Sequence, residues 1–115
     1  MSWILKVRDK FHAAHYLKEY RGKCEQLHGH TFQVEVQIHV RDLDKTGIGI
    51  DFTEIKKKLA EILPDHVLLN DAYDFNPSAE NLSRRFFEEL KKEYPVKSVT
   101  VWESEDASAT YSEDQ

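Results

Sequence analysis

Two stretches of the chain alternate between apolar and polar side chains, which is the pattern of a half-buried β-strand. In residues 3–15 the odd positions are apolar with one exception, until the row ends at His15. In residues 30–40, extended back by two positions, an apolar row follows His28 and His30 at the even positions. Because side chains repeat every second residue along a strand, all three histidines share the faces that the core must cover.

The next part of the chain predicts a helix and a loop. A turn over residues 42–49 leads to Asp51, which suits a helix N-cap and, with Glu54 three residues later, resembles a capping box. Pro64 ends this helix, and residues 65–71 are predicted to form a loop. The predicted buried stripe of the helix comprises Phe52, Ile55, Leu59 and Ile62.

A second helix is predicted to begin near residues 76–78, where Pro77 suits the first helical position and Ser78 or Asn76 can cap it. Pro95 closes this region. Its predicted buried stripe comprises Leu82, Phe86, Phe87 and Leu90.

The last part of the chain predicts two strands and a polar tail. Val99 and Val101 share one face of a strand with Glu103, so a carboxylate ends this apolar row as imidazoles end the earlier ones. Residues 107–111 predict a short fourth strand, and residues 112–115 a frayed end. The predicted order is strand, strand, helix, helix, strand, strand.

The three histidines of the apolar rows predict a metal site. A buried polar group without a partner costs about 1 to 3 kcal/mol, so these imidazoles need a reason to be there. A hairpin between the first two strands would bring His15 beside His28 and His30, and catalytic zinc commonly takes three protein ligands. A structural zinc site is the alternative, and only Cys24 could close it. His12, on a polar face, is interpreted as exposed, as is His39.

Composition narrows the class of protein. A length of 115 residues predicts a single domain, residues 1–115, that gains from self-association. The formal net charge is −5 and no basic stripe is present, which argues against nucleic acid as a partner. A single cysteine cannot form an internal disulfide, and no apolar run reaches the roughly 18 residues of a membrane span. With no signal-peptide pattern at the start, the expected location is the cytoplasm.

Five motifs occur in an order and at spacings that are specific when taken together. They are Phe11-His12-Ala13-Ala14-His15, the segment 24–30 (Cys-Glu-Gln-Leu-His-Gly-His), the segment 65–70 (Asp-His-Val-Leu-Leu-Asn), the segment 76–81 (Asn-Pro-Ser-Ala-Glu-Asn) and Val101-Trp102-Glu103. This combination resembles the 6-pyruvoyl-tetrahydropterin synthase and 6-carboxy-tetrahydropterin synthase family over nearly the whole chain.

The resemblance implies an α+β T-fold. In this fold a four-stranded antiparallel sheet of ββααββ order carries two helices on one face. Its subunits join into a barrel, commonly a homohexamer, with active sites between subunits.

The resemblance also implies roles for individual residues. His15, His28 and His30 would bind Zn²⁺, and Cys24 would be the catalytic base. Asp65 with His66 would complete a proton-transfer relay, Glu103 would anchor the pterin, and Ser78 matches a pterin-contacting hydroxyl. Ala79 departs from the family, since some members carry a second hydroxyl there.

The implied reaction is that of a lyase. It converts 7,8-dihydroneopterin triphosphate to 6-carboxy-5,6,7,8-tetrahydropterin with release of acetaldehyde and triphosphate, on the route to queuosine or archaeosine. The short gap between Cys24 and His28 resembles the carboxy-type enzymes, whereas pyruvoyl-type enzymes have a longer one. Glu25 resembles a third group that forms 6-hydroxymethyl-7,8-dihydropterin for folate synthesis, so dual activity is an alternative, as is an ordinary loop acid at this position. A non-enzymatic, zinc-stapled oligomeric module is the alternative outside catalysis.

Overall fold

A computed structural model describes residues 1–18 and 26–113 of the chain. Its secondary-structure elements, in chain order, are the strands β1 (Trp3–His15) and β2 (His28–Val40), the helix α1 (Phe52–Ile62), the strand β3 (Val67–Leu68), the helices α2 (Leu69–Ala72) and α3 (Ala79–Leu90), and the strands β4 (Val96–Ser104) and β5 (Ala107–Tyr111). The four long strands and the two long helices occur in the predicted order, which confirms the α+β class.

The strands form one sheet in the order β3-β1-β2-β4-β5. The pairs β1–β2, β2–β4 and β4–β5 are antiparallel, whereas β3 pairs with β1 in parallel. The structure therefore adds a fifth, two-residue strand and the four-residue helix α2 within the segment predicted to be a loop. Strand β3 forms because this segment pairs with the edge of β1. The backbone N–H of His66 donates to the carbonyl of His12 directly before the paired residues.

The core lies between the sheet and the two long helices. The rings of Phe11 and Phe32 stack at 4.8 Å between centroids, and Phe86 of α3 packs edge-on against Phe11 at 5.9 Å. Ile55 and Leu59 of α1 are fully buried in the same cluster. Both helices thus cover the face formed by the predicted apolar rows of β1 and β2.

Two local features differ from what the pattern predicts. Phe52 is 51% exposed, because it is the first residue of α1 and lies beside a surface depression with Trp3 and Ile48 instead of in the core. His39 is half-buried near the end of β2, where its backbone N–H donates to the carbonyl of Pro95. Neither difference changes the position of the candidate site.

The helix starts fix where α1 and α3 meet the sheet. The carboxylate of Asp51 accepts from the backbone N–H of Thr53, and the hydroxyl of Ser78 accepts from the backbone N–H of Asn81. Glu54 accepts a hydrogen bond from the Tyr94 hydroxyl at 3.3 Å. In the described ranges, no helix is long and apolar enough to cross a membrane.

Candidate metal centre and active site

Three histidines meet at one end of the β1–β2 hairpin. His15 is the direct register partner of His28, and His30 lies opposite Ala13. One ligand nitrogen from each imidazole lies within 4.8 Å of the others. The prediction that strand parity and a hairpin bring these three side chains together is confirmed, and the cluster could hold a metal ion.

Backbone carbonyls orient two of the three rings. The Nδ1 atom of His15 lies 2.8 Å from the carbonyl oxygen of Pro77, and that of His28 lies 2.7 Å from the carbonyl oxygen of Gln26. Because a carbonyl only accepts, each Nδ1 carries the proton, which leaves the Nε2 lone pair of the neutral ring free. Histidines that bind a metal usually donate their other ring N–H to a backbone carbonyl or carboxylate in this way.

Two nitrogens of the cluster lack a hydrogen bond. Among the described residues, the Nε2 atoms of His15 and His30 are buried and have no hydrogen-bond partner. His15 is fully buried. Buried polar atoms in native proteins nearly always have a partner, so these orphaned atoms fit a zinc ion, for which neutral imidazole is a preferred ligand.

Burial also sets the charge of the cluster. Loss of hydration lowers the pKa of His15, which the hydrogen bond to Pro77 and the charge of Glu103 only partly oppose. Burial likewise lowers the pKa of His30, against the opposing effect of Glu103. Both rings are therefore held in the neutral form that binds metal.

Glu103 of β4 lies next to the histidines. Its Oε2 atom is 3.7 Å from Nε2 of His15, and its Oε1 atom is 3.7 Å from Nε2 of His30. These distances exceed a hydrogen bond, and 29% of the side chain is exposed, so both oxygens can accept bonds from a ligand. The carboxylate at the end of the Val99–Val101 row thus reaches the metal centre, as the parity of the strand indicates.

A small cavity opens beside Glu103, between the start of α3 and strand β5. It has a volume of about 190 Å³ and is lined in part by Leu17, Ser78, Glu80 and Ser108. The hydroxyl of Ser78 accepts the capping bond of α3 at 3.2 Å, and its own proton can still be donated to a ligand. This cavity is smaller than the 300 to 1,000 Å³ typical of ligand pockets.

Asp65 and His66 form a pair beside the edge of β1. Oδ2 of Asp65 lies 2.9 Å from Nδ1 of His66, and Oδ1 accepts from the backbone N–H of His12 at 2.8 Å. That backbone bond, with smaller contributions from His66, lowers the pKa of Asp65. The ring of His66 lies 5.6 Å from the ring of His12, which has the opposite parity to His15 along β1, so the imidazole of His66 lies away from the metal centre of its own chain.

The segment 19–25, which holds Cys24 and Glu25, lies outside the described residues. Their predicted roles therefore stay predictions. Sequence reasoning missed the carbonyls of Gln26 and Pro77 and the backbone of His12, because backbone partners carry no residue-type signal. Only the histidines that they orient could indicate that such partners exist.

Comparisons with known proteins identify the family of this chain. The family model of 6-pyruvoyl tetrahydropterin synthase matches residues 4–114. The chain is similar to a putative 6-carboxy-5,6,7,8-tetrahydropterin synthase of Archaeoglobus fulgidus, with 37% identity over 106 residues and 90% of each chain covered. It is also similar to a dihydroneopterin monophosphate aldolase of Pyrococcus furiosus, with 35% identity over 102 residues, which cover 84% of this chain and 85% of the relative.

The fold has a close solved counterpart. The 6-pyruvoyl tetrahydropterin synthase of Caenorhabditis elegans superposes with a TM-score of 0.86 at 26% identity, covering 99% of this chain and 97% of that one. The T-fold prediction is thereby confirmed for the single chain, whereas the assembly of subunits into a barrel stays a prediction. From the family match, the relatives and this fold, the chain belongs to the 6-pyruvoyl tetrahydropterin synthase family and is an enzyme of that family.

Proposed function

We propose that the chain is a zinc-dependent 6-carboxy-5,6,7,8-tetrahydropterin synthase acting on 7,8-dihydroneopterin triphosphate, with acetaldehyde and triphosphate as the other products. The observation that carries the proposal is the approach of the Glu103 carboxylate to two imidazole nitrogens that have no hydrogen-bond partner among the described residues. The 37% identity to a relative named as a putative 6-carboxy-5,6,7,8-tetrahydropterin synthase supports the choice of product.

His15, His28 and His30 would hold the zinc ion through Nε2. Three protein ligands leave a coordination position open, which is the usual arrangement of a catalytic zinc site. Bound there, the metal would act as a Lewis acid on the side-chain hydroxyls of the substrate and make nearby protons easier to remove. A purely structural zinc site, the alternative, would need a fourth protein ligand. It would also give the partly exposed carboxylate of Glu103 no ligand to bind.

Glu103 would anchor the pterin ring. The ring presents two adjacent N–H donors in a guanidine-like edge, and a carboxylate can accept both at once. The side chain of Glu103 is partly exposed and borders the small cavity that Ser78 also lines. The pterin ring and the side chain of the substrate can therefore extend between the Glu103 carboxylate and the histidines. Ser78 would add a hydroxyl contact to the bound ring.

Cys24 would act as the base that removes a proton from the substrate side chain. A thiol with an ordinary pKa of about 8.5 serves this role once a nearby positive charge favours its thiolate. Asp65 would hold the Nδ1–H of His66, which directs Nε2 outward to exchange the second proton. The lowered pKa of Asp65 keeps it ionised, so that it stabilises the imidazolium when it forms.

The relay would serve the metal centre of a neighbouring chain. The ring of His66 lies beside that of His12, on the face of β1 opposite to His15, and the cavity of about 190 Å³ is small for a complete pterin site. Assembly of chains into a barrel, expected to be a homohexamer, would bring the two halves of a site together. A pterin is then the only small-molecule partner that the account requires.

A second activity is favoured by one specific observation. The relative from Pyrococcus furiosus is named an aldolase of dihydroneopterin monophosphate, a name that implies carbon–carbon cleavage in the same side chain. Glu25, next to Cys24, would be the base for such cleavage and would give 6-hydroxymethyl-7,8-dihydropterin. The pyruvoyl-type reaction is the remaining alternative for the same site.

The pterin-anchoring role is tested by replacing Glu103 with Gln in the zinc-loaded protein. The amide keeps the shape but cannot accept two bonds from the ring edge, so KM for 7,8-dihydroneopterin triphosphate should rise at least about tenfold. Glu105→Gln, in the exposed turn of the same hairpin, is the matched control and should behave as the unaltered protein. Equal KM values for both variants would remove Glu103 from the proposal.

A further inference from the structure

His12 holds the residues just before β3 through its backbone. Its N–H donates to Oδ1 of Asp65 at 2.8 Å, and its carbonyl accepts from the N–H of His66 at 2.5 Å. The parallel pairing continues from there, with Ala13 opposite Val67. Both residues of the proposed proton relay are therefore attached to one residue of β1.

His66 adopts an unusual backbone conformation at this point. Its φ of 58° is the only positive value for a non-glycine residue in the described ranges. Such conformations persist where the surroundings impose them, and they are concentrated at functional sites. The bond from the His66 N–H to the carbonyl of His12, and the bond from the His12 N–H to the Asp65 carboxylate, are contacts able to impose it.

The imidazole of His12 makes a second set of contacts. Its Nδ1 atom lies 3.0 Å from the hydroxyl of Thr31, its register partner on β2. Its ring centre lies 5.6 Å from the ring centre of His66, with the two planes inclined by 51°. The hydroxyl of Thr31 thus favours one orientation of the His12 ring, and that ring lies on one side of His66.

His66 needs such support because its ion pair with Asp65 is weak. Three quarters of its side chain and half of that of Asp65 are exposed, and exposed ion pairs alone do little to fix a side chain. A proton-transfer group must nevertheless be held closely, since a displacement of about 1 Å can cost about 10²-fold in rate. A neighbouring ring that is itself held by a hydrogen bond restricts the rotamers open to His66.

We infer that His12, held by Thr31, is a positioning residue that orients the imidazole of His66 for proton transfer. The inference rests on the relay role proposed above and adds two residues to it. His12 lies on the exposed face of β1, and the pattern of the sequence alone assigns it to the surface. Because its contacts to Asp65 and His66 are partly through the backbone, a side-chain substitution leaves those backbone bonds in place.

The test compares four variants of the zinc-loaded, full-length protein with 7,8-dihydroneopterin triphosphate. His12→Ala removes the supporting ring, and Thr31→Val removes only the hydroxyl that holds it. His66→Ala removes the relay itself. His39→Ala is the matched control, a histidine of the same sheet face near the opposite end of β2.

His12→Ala should lower kcat about tenfold with KM and zinc content unchanged, and Thr31→Val should lower it less, in the same direction. A general acid or base usually contributes a rate acceleration of about 10²- to 10⁴-fold. The tenfold loss in His12→Ala is part of that acceleration, and His66→Ala should lose most of it. His39→Ala should keep the kcat of the unaltered protein. Nitrogen-15 and proton NMR of the imidazoles should show the His66 ring signals displaced in His12→Ala and unmoved in His39→Ala.

The outcomes separate the two proposals. An unchanged kcat in His12→Ala, together with a large loss in His66→Ala, overturns the positioning role and leaves the relay intact. Loss of zinc, or a rise in KM equal to the fall in kcat, also overturns it, because the effect would then act through binding. Full activity in His66→Ala refutes the relay, and the NMR displacement then shows whether the contact between His12 and His66 exists in solution.

Discussion

Oε2 of Glu103 lies 3.7 Å from Nε2 of His15, although the two residues come from strands β4 and β1 at opposite ends of the chain. The contact joins a carboxylate able to bind a pterin edge to an imidazole able to bind a metal. Strand β2 lies between them in the sheet and contributes His28 and His30. The fold thereby assembles both halves of the proposed chemistry from the ends of three apolar rows.

The metal assignment predicts that His28→Ala loses the zinc ion. Removing one of three protein ligands leaves two imidazoles, too few to keep the ion against dialysis. Elemental analysis of the purified variant should give a zinc content near zero. The control His39→Ala should keep about one zinc per chain, and full occupancy in His28→Ala would show that the ligands lie elsewhere.

Much of this site could be predicted from the strand patterns, because the alternation of side chains between the two faces of a strand is evident within a few residues of sequence. Alternation with an expected hairpin brings His15, His28 and His30 together, and alternation on β4 puts Glu103 at the end of an apolar row. The pairing of Val67–Leu68 with β1 could not be predicted, since two residues show no periodicity and their partner is distant in sequence. For the same reason the contacts of His12 with Asp65 and His66 could not be predicted from the sequence. The predictions of a single domain and of a hexamer stay predictions.

The pKa shifts predict how the metal-free protein responds to pH. Burial lowers the pKa of His15 and His30 below the ordinary value of 6.5, so below that pH the unfolded chain binds more protons than the folded one. Stability should therefore be fully present above pH 6.5 and fall as the pH falls further. Thermal unfolding after chelation measures this, and a Tm that rises on acidification from pH 6.5 would contradict it.

The separation of the relay from the metal centre predicts complementation between chains. Cys24→Ala and His66→Ala should each fail to form 6-carboxy-tetrahydropterin when assayed alone, and formation of that product is the activity measured. When the two variants are unfolded together and reassembled, mixed oligomers would contain sites with an intact Cys24 from one chain and an intact His66 from another. Activity should return in the mixture but not in either variant refolded alone, and a mixture without activity would place both residues in one chain's site.

The roles of Cys24 and Glu25 predict opposite product patterns. Cys24→Ala should keep its zinc and fold while losing 6-carboxy-tetrahydropterin formation, yet retain some 6-hydroxymethyl-7,8-dihydropterin formation. Glu25→Ala should do the reverse, since proton removal at different side-chain positions commits the bound pterin to different bond cleavages. If the yield of hydroxymethyl product is the same with and without Glu25, that carboxylate is an ordinary surface acid. A zinc-free, unfolded Cys24→Ala would favour a structural role for the thiol.

The identity of the pterin product is the most direct test of the account. The zinc-loaded protein is incubated with 7,8-dihydroneopterin triphosphate, and the pterins are separated by chromatography and identified by mass. We expect 6-carboxy-5,6,7,8-tetrahydropterin as the main product, with acetaldehyde and triphosphate in equal amounts, and no product after removal of zinc by a chelator. Unconverted substrate, or 6-pyruvoyl-tetrahydropterin as the main product, would contradict it.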